Sequence, residues 1–529
     1  MEKPSTTHSK RCNNQLWLVV LASFLLCLVL LCFDFSALPE QRNGIVPAAI
    51  GSHYQNPTVL TQKPETLAPK GNAEEVEKEK VIADSCWGKY VYIQEIPSRF
   101  NQDLLDNCGS VTPGTEHNMC PYLVNDGLGP SIQDSTGVLS NGSGSWYLTN
   151  QFILEVIFHN RMKNYSCLTN DSSLASAIYI PYYAGLDLSR FLWGYGATVR
   201  DQSGFELLKL LVEKPEWKRM WGRDHFMVAG RISWDFRRKT DEESDWGSKL
   251  RFLPESDNMS MLAIESSSWN NDYAIPYPTC FHPLNQNGVL EWQEKLRRQK
   301  RDYLFSFAGA PRSDLNASLR GRIFEECQGS NNLCKLLECS YGEKGAITCN
   351  NPVNVMTVFE NSVFCLQPPG DSYTRRSTFD AILAGCIPVF FHPGTAYAQY
   401  KWHLPDDFMR YSVFIPLEHV EEWRAGVVNQ TLLQIPEEKV VAMREQVIRL
   451  IPKVIYADSR SESGPGFEDA FDLSVKGILE RIERVRKDVR EGKDPAAGFA
   501  EGDDFKYTFS LYVDKSKILN KDPPVSSVD

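Results

Sequence analysis

Two short apolar runs, SVFCL beginning at Ser362 and IPVFF ending at Phe391, enclose the loop QPPGDSYTRR and the stretch STFDAILAG. Runs this short, bounded by Pro and Gly, read as strands buried on both faces. The stretch between them has helical periodicity and stops at Gly385. Strand, helix and strand in that order make a βαβ unit, and its strands must be parallel because the crossover returns the chain to the same end of the sheet.

The alternation recurs in AIYIPYYAG (Ala177–Gly185), HFMVAG (His225–Gly230), MLAIES (Met261–Ser266) and YLFSFAG (Tyr303–Gly309). Strands alternating with helical segments predict parallel α/β sheets. The runs fall into two groups on either side of the charged helical stretch VLEWQEKLRRQKRDY (Val289–Tyr303). Two Rossmann-like halves are therefore expected, 84–290 and 291–490, facing a cleft where the carboxyl ends of their strands meet.

Before the first half, every residue from Leu16 to Phe33 is apolar or small, with Lys3, Lys10 and Arg11 ahead and Asp34 and Glu40 behind. This is the pattern of one membrane anchor (16–33) with residues 1–15 cytoplasmic. A cleaved signal peptide fits less well, because the run is long and no A-x-A site follows. So short a span suits the thinner membranes of the endoplasmic reticulum and Golgi. Residues 34–83, rich in Pro, Gln, Glu and Lys, read as a stem, and 491–529 as a loosely ordered C-terminal tail.

Six N-x-S/T sequons follow the anchor, at Asn141, Asn164, Asn170, Asn258, Asn316 and Asn429. Together they point to a lumenal, glycosylated chain. Eleven of the 14 cysteines also follow it, so in an oxidising compartment disulfides are expected and at least one thiol is left over. Cys327, Cys334, Cys339 and Cys349 could alternatively hold zinc. A net charge of -11 and the lack of a basic face exclude nucleic acid as a partner. No GxGxxG or GxxxxGK[ST] follows a strand, which removes the usual support for dinucleotide and P-loop enzymes.

In a βαβ unit the loop after the first strand opens at the carboxyl edge, where the N–H groups of the helix start attract anions. Gly370 is expected to let the chain turn sharply there. Asp371, Ser372, Thr374, Arg375, Arg376 and Ser377 surround it with hydroxyl and guanidinium donors suited to a diphosphate. The arginines also fit a solvated surface, Ser377-x-x-Asp380 fits a capping box, and Asp380 fits a cap, an arginine partner or a ribose contact.

The stretch VFCLQPPGDSYTRRSTFDAILAGCIPVFF resembles the signature of the exostosin-like glycosyltransferases, most of all the plant xyloglucan galactosyltransferase branch. IYIPYYAGLDLSRFLW, WGRDHFMVAGRISWDF, IPYPTCFHP and LFSFAGAPR agree with it, so the resemblance runs from Cys86 to about Val489. It implies a Golgi type II enzyme of GT-B fold that transfers a sugar with inversion from UDP-galactose, or UDP-galacturonic acid, to xylosyl side chains of xyloglucan. Association within a larger Golgi assembly goes with that expectation. No D-x-D tripeptide occurs anywhere in the chain, so arginines and helix N–H groups rather than a metal are expected to hold the leaving diphosphate, and no cofactor is expected. Within the resemblance, Arg312 in FAGAPR is a second donor-side cation. His225 is the expected general base, with Asp224 orienting or replacing it. Trp193, Tyr182, Tyr183, Trp234 and Trp269 are unassigned aromatics. The rival classes are a non-catalytic glycan-binding membrane protein and a glycoside hydrolase; the hydrolase needs two spaced carboxylates and has no use for a diphosphate loop.

Overall fold

In a computed structural model the described residues are 84–111, 118–139, 144–311, 318–339, 348–416, 426–461 and 464–494. The expected cytoplasmic tail, anchor and stem, most of the C-terminal tail, and Arg312, Asn141 and Asn316 lie outside them. Among the described residues no helix is long and apolar enough to cross a membrane.

The chain forms two five-stranded sheets in which every pairing is parallel. The first holds β1 (Val91–Ile93), β2 (Ala177–Ile180), β3 (His225–Ala229), β4 (Ser260–Ala263) and β5 (Asp272–Ala274) in sequential order. Both faces are covered, which is why the strands read as unbroken apolar runs. Alternate residues Tyr179, Phe226, Val228 and Leu262 cluster with the helix Leu154–Lys163. Ile180, Met227, Ala229, Met261 and Ala263 cluster with Leu207, Leu208 and Leu211 of the helix Ala197–Val212.

The second sheet holds β6 (Tyr303–Gly309), β7 (Cys334–Glu338), β8 (Ser362–Gln367), β9 (Ile387–Phe390) and β10 (Val413–Phe414) in the order β10-β9-β8-β6-β7. The expected charged helix between the groups spans Gln286–Arg298, opened by the Asn285 side chain, which accepts from Asn287 N and Gly288 N. The helix between β8 and β9, Arg376–Leu383, ends where Gly385 takes a φ of +61°, a left-handed position that glycine fills without strain. The last helix, Ala470–Arg490, packs back onto the first half. Phe471 lies 4.8 Å from Phe158 and Arg161 Nη2 is 3.1 Å from the Asp469 carboxylate.

Five disulfides join Cys86–Cys167, Cys108–Cys120, Cys327–Cys334, Cys339–Cys349 and Cys365–Cys386. The cluster that also fitted zinc is thus two disulfides, and the leftover thiol is the buried Cys280.

At the outer edge of the first sheet Asp272, the first residue of β5, sits between two arginines, all three with fully buried side chains. Its carboxylate accepts from Arg237 Nε at 2.7 Å and Arg251 Nε at 3.2 Å. Burial alone would raise the Asp272 pKa, but the two guanidiniums outweigh it and hold the group well below the usual carboxylate range. Removing the charge leaves two buried cations without their shared carboxylate partner, with Asp257 the remaining acid near them. We therefore expect Asp272→Asn to lose about 3–5 kcal/mol of unfolding free energy, measured by urea titration. Because the folded pKa is depressed, the stabilisation from this pair is present above the ordinary aspartate range and is lost as pH falls toward the depressed value. The difference between wild type and variant should shrink in that acid window.

Candidate functional site

β7 and β8 lie on opposite sides of β6, so the connections leaving β6 and β8 diverge. The space beyond the carboxyl ends of β6 and β8 is therefore the topological switch point, where an open parallel sheet leaves a crevice for a ligand. Two segments reach it: the loop 368–375 after β8, and the start of the helix Leu319–Gly329, which follows β6.

Gly370 lies where they meet. A β-carbon there would run into the Arg375 guanidinium and press on that of Arg320. The chain bends sharply just after it, with Gly370 N donating to the Ser372 carbonyl at 3.0 Å, but φ is not in the left-handed region, so the glycine is needed here for close approach. Arg375 is half-buried, with Nη1 donating to Ser372 Oγ at 3.1 Å and to the Thr374 carbonyl at 2.7 Å. Two guanidiniums held against one glycine backbone at a switch point form a cradle for an anion. Asp371 is exposed beside it.

The neighbouring arginine has a different environment. Arg376 Nη1 donates to the Thr149 carbonyl at 2.8 Å, Nη2 lies 2.7 Å from Cys280 Sγ, and Nε is 3.4 Å from Asp380. Arg376 is thus an internal tie between the halves and not a diphosphate ligand. Asp380, one turn along the same helix, is its partner, the arginine pairing among the expected alternatives. Burial raises the Asp380 pKa against the pull of Arg376, and burial likewise pushes the Cys280 thiol up. Ser377 makes no capping box: its hydroxyl donates to Gln367 Oε1 at 2.6 Å, and Arg375, the residue at the N-cap, makes no side-chain cap.

Thr374 is fully buried and faces the other sheet. Its N–H and its Oγ1 both donate to Glu265 Oε2, at 2.8 and 2.6 Å, and Tyr277 Oη lies 3.0 Å from Oγ1. Glu265 stands just past the carboxyl end of β4, so the two sheets meet carboxyl edge to carboxyl edge. Further bonds along this seam run from Ser266 N to Gln399 Oε1 at 2.8 Å and from Tyr400 Oη to the Ile264 carbonyl at 2.9 Å. This is the GT-B-like arrangement of two α/β halves. Burial raises the Glu265 pKa above its ordinary value, opposed by the Thr374 bonds, the Ser372 side chain and Arg375, and its Oε1 is enclosed by protein. The sequence reading missed both Glu265 and Arg320. The available signal was an acid closing an apolar strand, MLAIE, and an arginine opening the helix after β6.

His225 and Asp224 do not reach this place. They begin β3, at the amino edge of the first sheet, the end opposite the cleft. Both are fully buried. His225 Nδ1 is 2.7 Å from Asp224 Oδ1, Arg219 Nη2 donates to Asp224 Oδ2 at 2.7 Å, and Trp217 packs on the imidazole. Burial would raise the Asp224 pKa, but His225 and Arg219 lower it. The pair anchors the strand and, at this end of the sheet, faces away from the cleft. Of the described sequons, Asn170 is exposed, the Asn164 amide donates to the Ser459 carbonyl at 2.8 Å, and Asn258 and Asn429 are half-buried. Among the described residues no group of three or more His, Cys, Asp or Glu converges as metal ligands would.

The family model of the Exostosin GT47 domain matches residues 85–431. The probable xyloglucan galactosyltransferase GT14 of Arabidopsis thaliana is 57% identical over 526 residues, covering 97% of each chain. The xyloglucan galactosyltransferase MUR3 of the same plant is 51% identical over 454 residues, covering 84% of this chain and 72% of that one. The xyloglucan galactosyltransferase XLT2, also of Arabidopsis thaliana, is 40% identical over 409 residues, covering 76% and 77%.

The two adjacent arginines should separate cleanly by experiment. Arg376→Ala strands the buried Asp380 carboxyl and should cost about 3–5 kcal/mol of stability. Arg375→Ala should stay within about 1 kcal/mol of wild type yet weaken pyrophosphate binding by about tenfold or more. Thermal denaturation and calorimetric titration check both, and an Arg376→Ala chain that melts like wild type would remove the structural assignment.

Proposed function

The chain belongs to the exostosin GT47 family and is a glycosyltransferase, and from that premise we propose that it moves galactose from UDP-galactose to xylosyl side chains of xyloglucan, with inversion and without a metal ion. The acceptor and the sugar are supported by the activities its relatives are named for. The observation that carries the mechanism is the convergence of Arg375 and Arg320 on Gly370 at the switch point, across the seam from Glu265.

In this mechanism the donor diphosphate lies against Gly370, where the two guanidiniums stabilise the charge that grows on departing UDP. That supplies the positive charge a metal would otherwise bring, in keeping with a chain that lacks D-x-D. The acceptor hydroxyl attacks the anomeric carbon from the side opposite UDP and gives its proton to Glu265. Thr374 holds Oε2, and Oε1, itself enclosed by protein, takes the proton when the loop 368–375 shifts to admit the acceptor. A dry carboxylate is also more basic than one in water, which favours proton uptake near neutral pH. Galactosyl transfer belongs in the Golgi lumen, with residues 16–33 as a single type II anchor. The five disulfides and the sequon-rich chain suit that compartment.

The test is transfer by the full-length chain in detergent, with EDTA present, to xyloglucan oligosaccharides from a panel of UDP-sugars, read by mass spectrometry. A hexose increment from UDP-galactose alone is expected. A hexuronic acid increment would replace the donor with UDP-galacturonic acid, and transfer abolished by EDTA would overturn the metal-free reading. Glu265→Gln should lower kcat by about a hundredfold or more while the affinity for UDP stays unchanged. Weaker UDP binding in that variant would make Glu265 a positioning residue for the Thr374 loop instead. Since the base must be ionised, wild-type kcat should fall as pH drops through a value above the ordinary glutamate range, and Glu265→Gln should lack that acid limb.

A further inference from the structure

Four tryptophans stand at the carboxyl edge of the first sheet, in positions the transfer chemistry does not use. Trp234 lies in the short turn Ser233–Phe236 after β3, and Trp246 in the loop that follows. Trp193 comes after the helix Ala184–Ser189 that leaves β2, and Trp269 comes after β4. Trp193 and Trp246 are 48% and 46% exposed, with ring centroids 5.5 Å apart at 71°. Trp234 and Trp269, half-buried, pair at 6.1 Å and 77°, and the Arg237 guanidinium already lies over the Trp269 ring at 4.3 Å.

These rings are held in place. Asp235 accepts from Trp246 Nε1 at 2.7 Å and from Arg231 Nε at 2.6 Å, and Arg231 Nη1 is 3.3 Å from Ser189 Oγ. The same turn is bonded to the reaction seam, because Ser233 N donates to the Glu265 carbonyl at 2.9 Å. A line of bonds therefore runs from Trp246 through Asp235 and, along the turn, Ser233 to Glu265 and Thr374.

Large aromatic rings bury readily, so rigid rings left half in water at a sheet's ligand-binding edge need a partner with flat apolar faces. Beneath them Asp235 and Arg231 are largely buried and paired with each other, so what this edge presents, beside the seam at Glu265, is ring surface. Flat C–H faces edged by hydroxyls are the chemistry of a pyranose chain: the faces stack on indole while the hydroxyls stay in water.

We propose that Trp193, Trp246, Trp234 and Trp269 form an extended platform for the neutral β-glucan backbone of the acceptor, which sets the side chain to be modified against Glu265. The proposal rests on the reading of the acceptor as a polysaccharide. Stacking is spread along the backbone, so the platform governs acceptor affinity and leaves donor affinity alone.

The test measures KM for a xyloglucan heptasaccharide and for UDP-galactose with the full-length chain in detergent. Trp193→Ala should raise the acceptor KM about tenfold with the donor KM unchanged, and Trp193→Tyr, which keeps an aromatic face, should recover most of the loss. Unchanged acceptor KM in both Trp193→Ala and Trp234→Ala, with wild-type melting, overturns the platform. If the wild-type chain transfers nothing to xyloglucan, the functional reading fails but the platform can still be tested by titration with cellohexaose, followed by tryptophan fluorescence. Binding that is lost in Trp193→Ala sustains the platform under another acceptor, and no binding of cellohexaose overturns it.

Discussion

Two hydrogen bonds from Thr374 to one oxygen of Glu265 carry the geometry on which the site depends. Both residues are fully buried, so the bonds are made away from water, where they are strong and where losing a partner is costly. Every strand of a parallel sheet points the same way, so joining one carboxyl end of each sheet brings both sets of carboxyl-end loops together. The Ser266–Gln399 and Ile264–Tyr400 bonds extend that seam. The tie between Arg376 and the Thr149 carbonyl, with the return of the last helix to the first half, adds further links between the halves.

Charge is divided unequally across the seam. On the second sheet the loop end carries Arg375 and Arg320 against Gly370. On the first, the matching helix start is filled from within: Glu155 accepts from Gly185 N at 2.5 Å and from Leu186 N at 3.2 Å, and burial pushes its carboxyl up to about 7. One edge carries two guanidiniums at the switch point, and the other has satisfied two backbone donors with a side chain of its own. That asymmetry is a physical reason for a diphosphate to settle on the second half and an uncharged glycan to meet the first.

Much of the fold is legible along the chain. Strands buried on both faces must be apolar throughout, so AIYI, HFMVA and IPVF stand out, and Gly385 marks a helix end that needs a left-handed residue. Cysteine arithmetic is legible too, since an odd number after residue 33 leaves a thiol over. Which thiol it is depends on Cys280 lying against Arg376 across the seam. The site is only half legible. The loop 368–375 can be found from its βαβ context, but the fates of Arg375 and Arg376 cannot, because adjacent residues at a helix start point in different directions. Asp224 and His225 look like chemistry in sequence, yet a residue that begins a parallel strand lies at the wrong end of the sheet for it.

The sequence by itself determined the parallel α/β class, the division into two groups of strands, the loop that opens the switch point and the family to which the chain belongs. These follow from local periodicity, turn residues and a long contiguous signature, all properties of neighbouring residues. Only the tertiary structure decided that Glu265 meets Thr374, that Arg320 joins Arg375 at Gly370, and that Arg376 pairs inward with Asp380. Residues 265 and 374 share no local pattern. They come together because two separately built sheets dock edge to edge, and the cost of burying a carboxylate is met only when that docking supplies its hydrogen-bond donors.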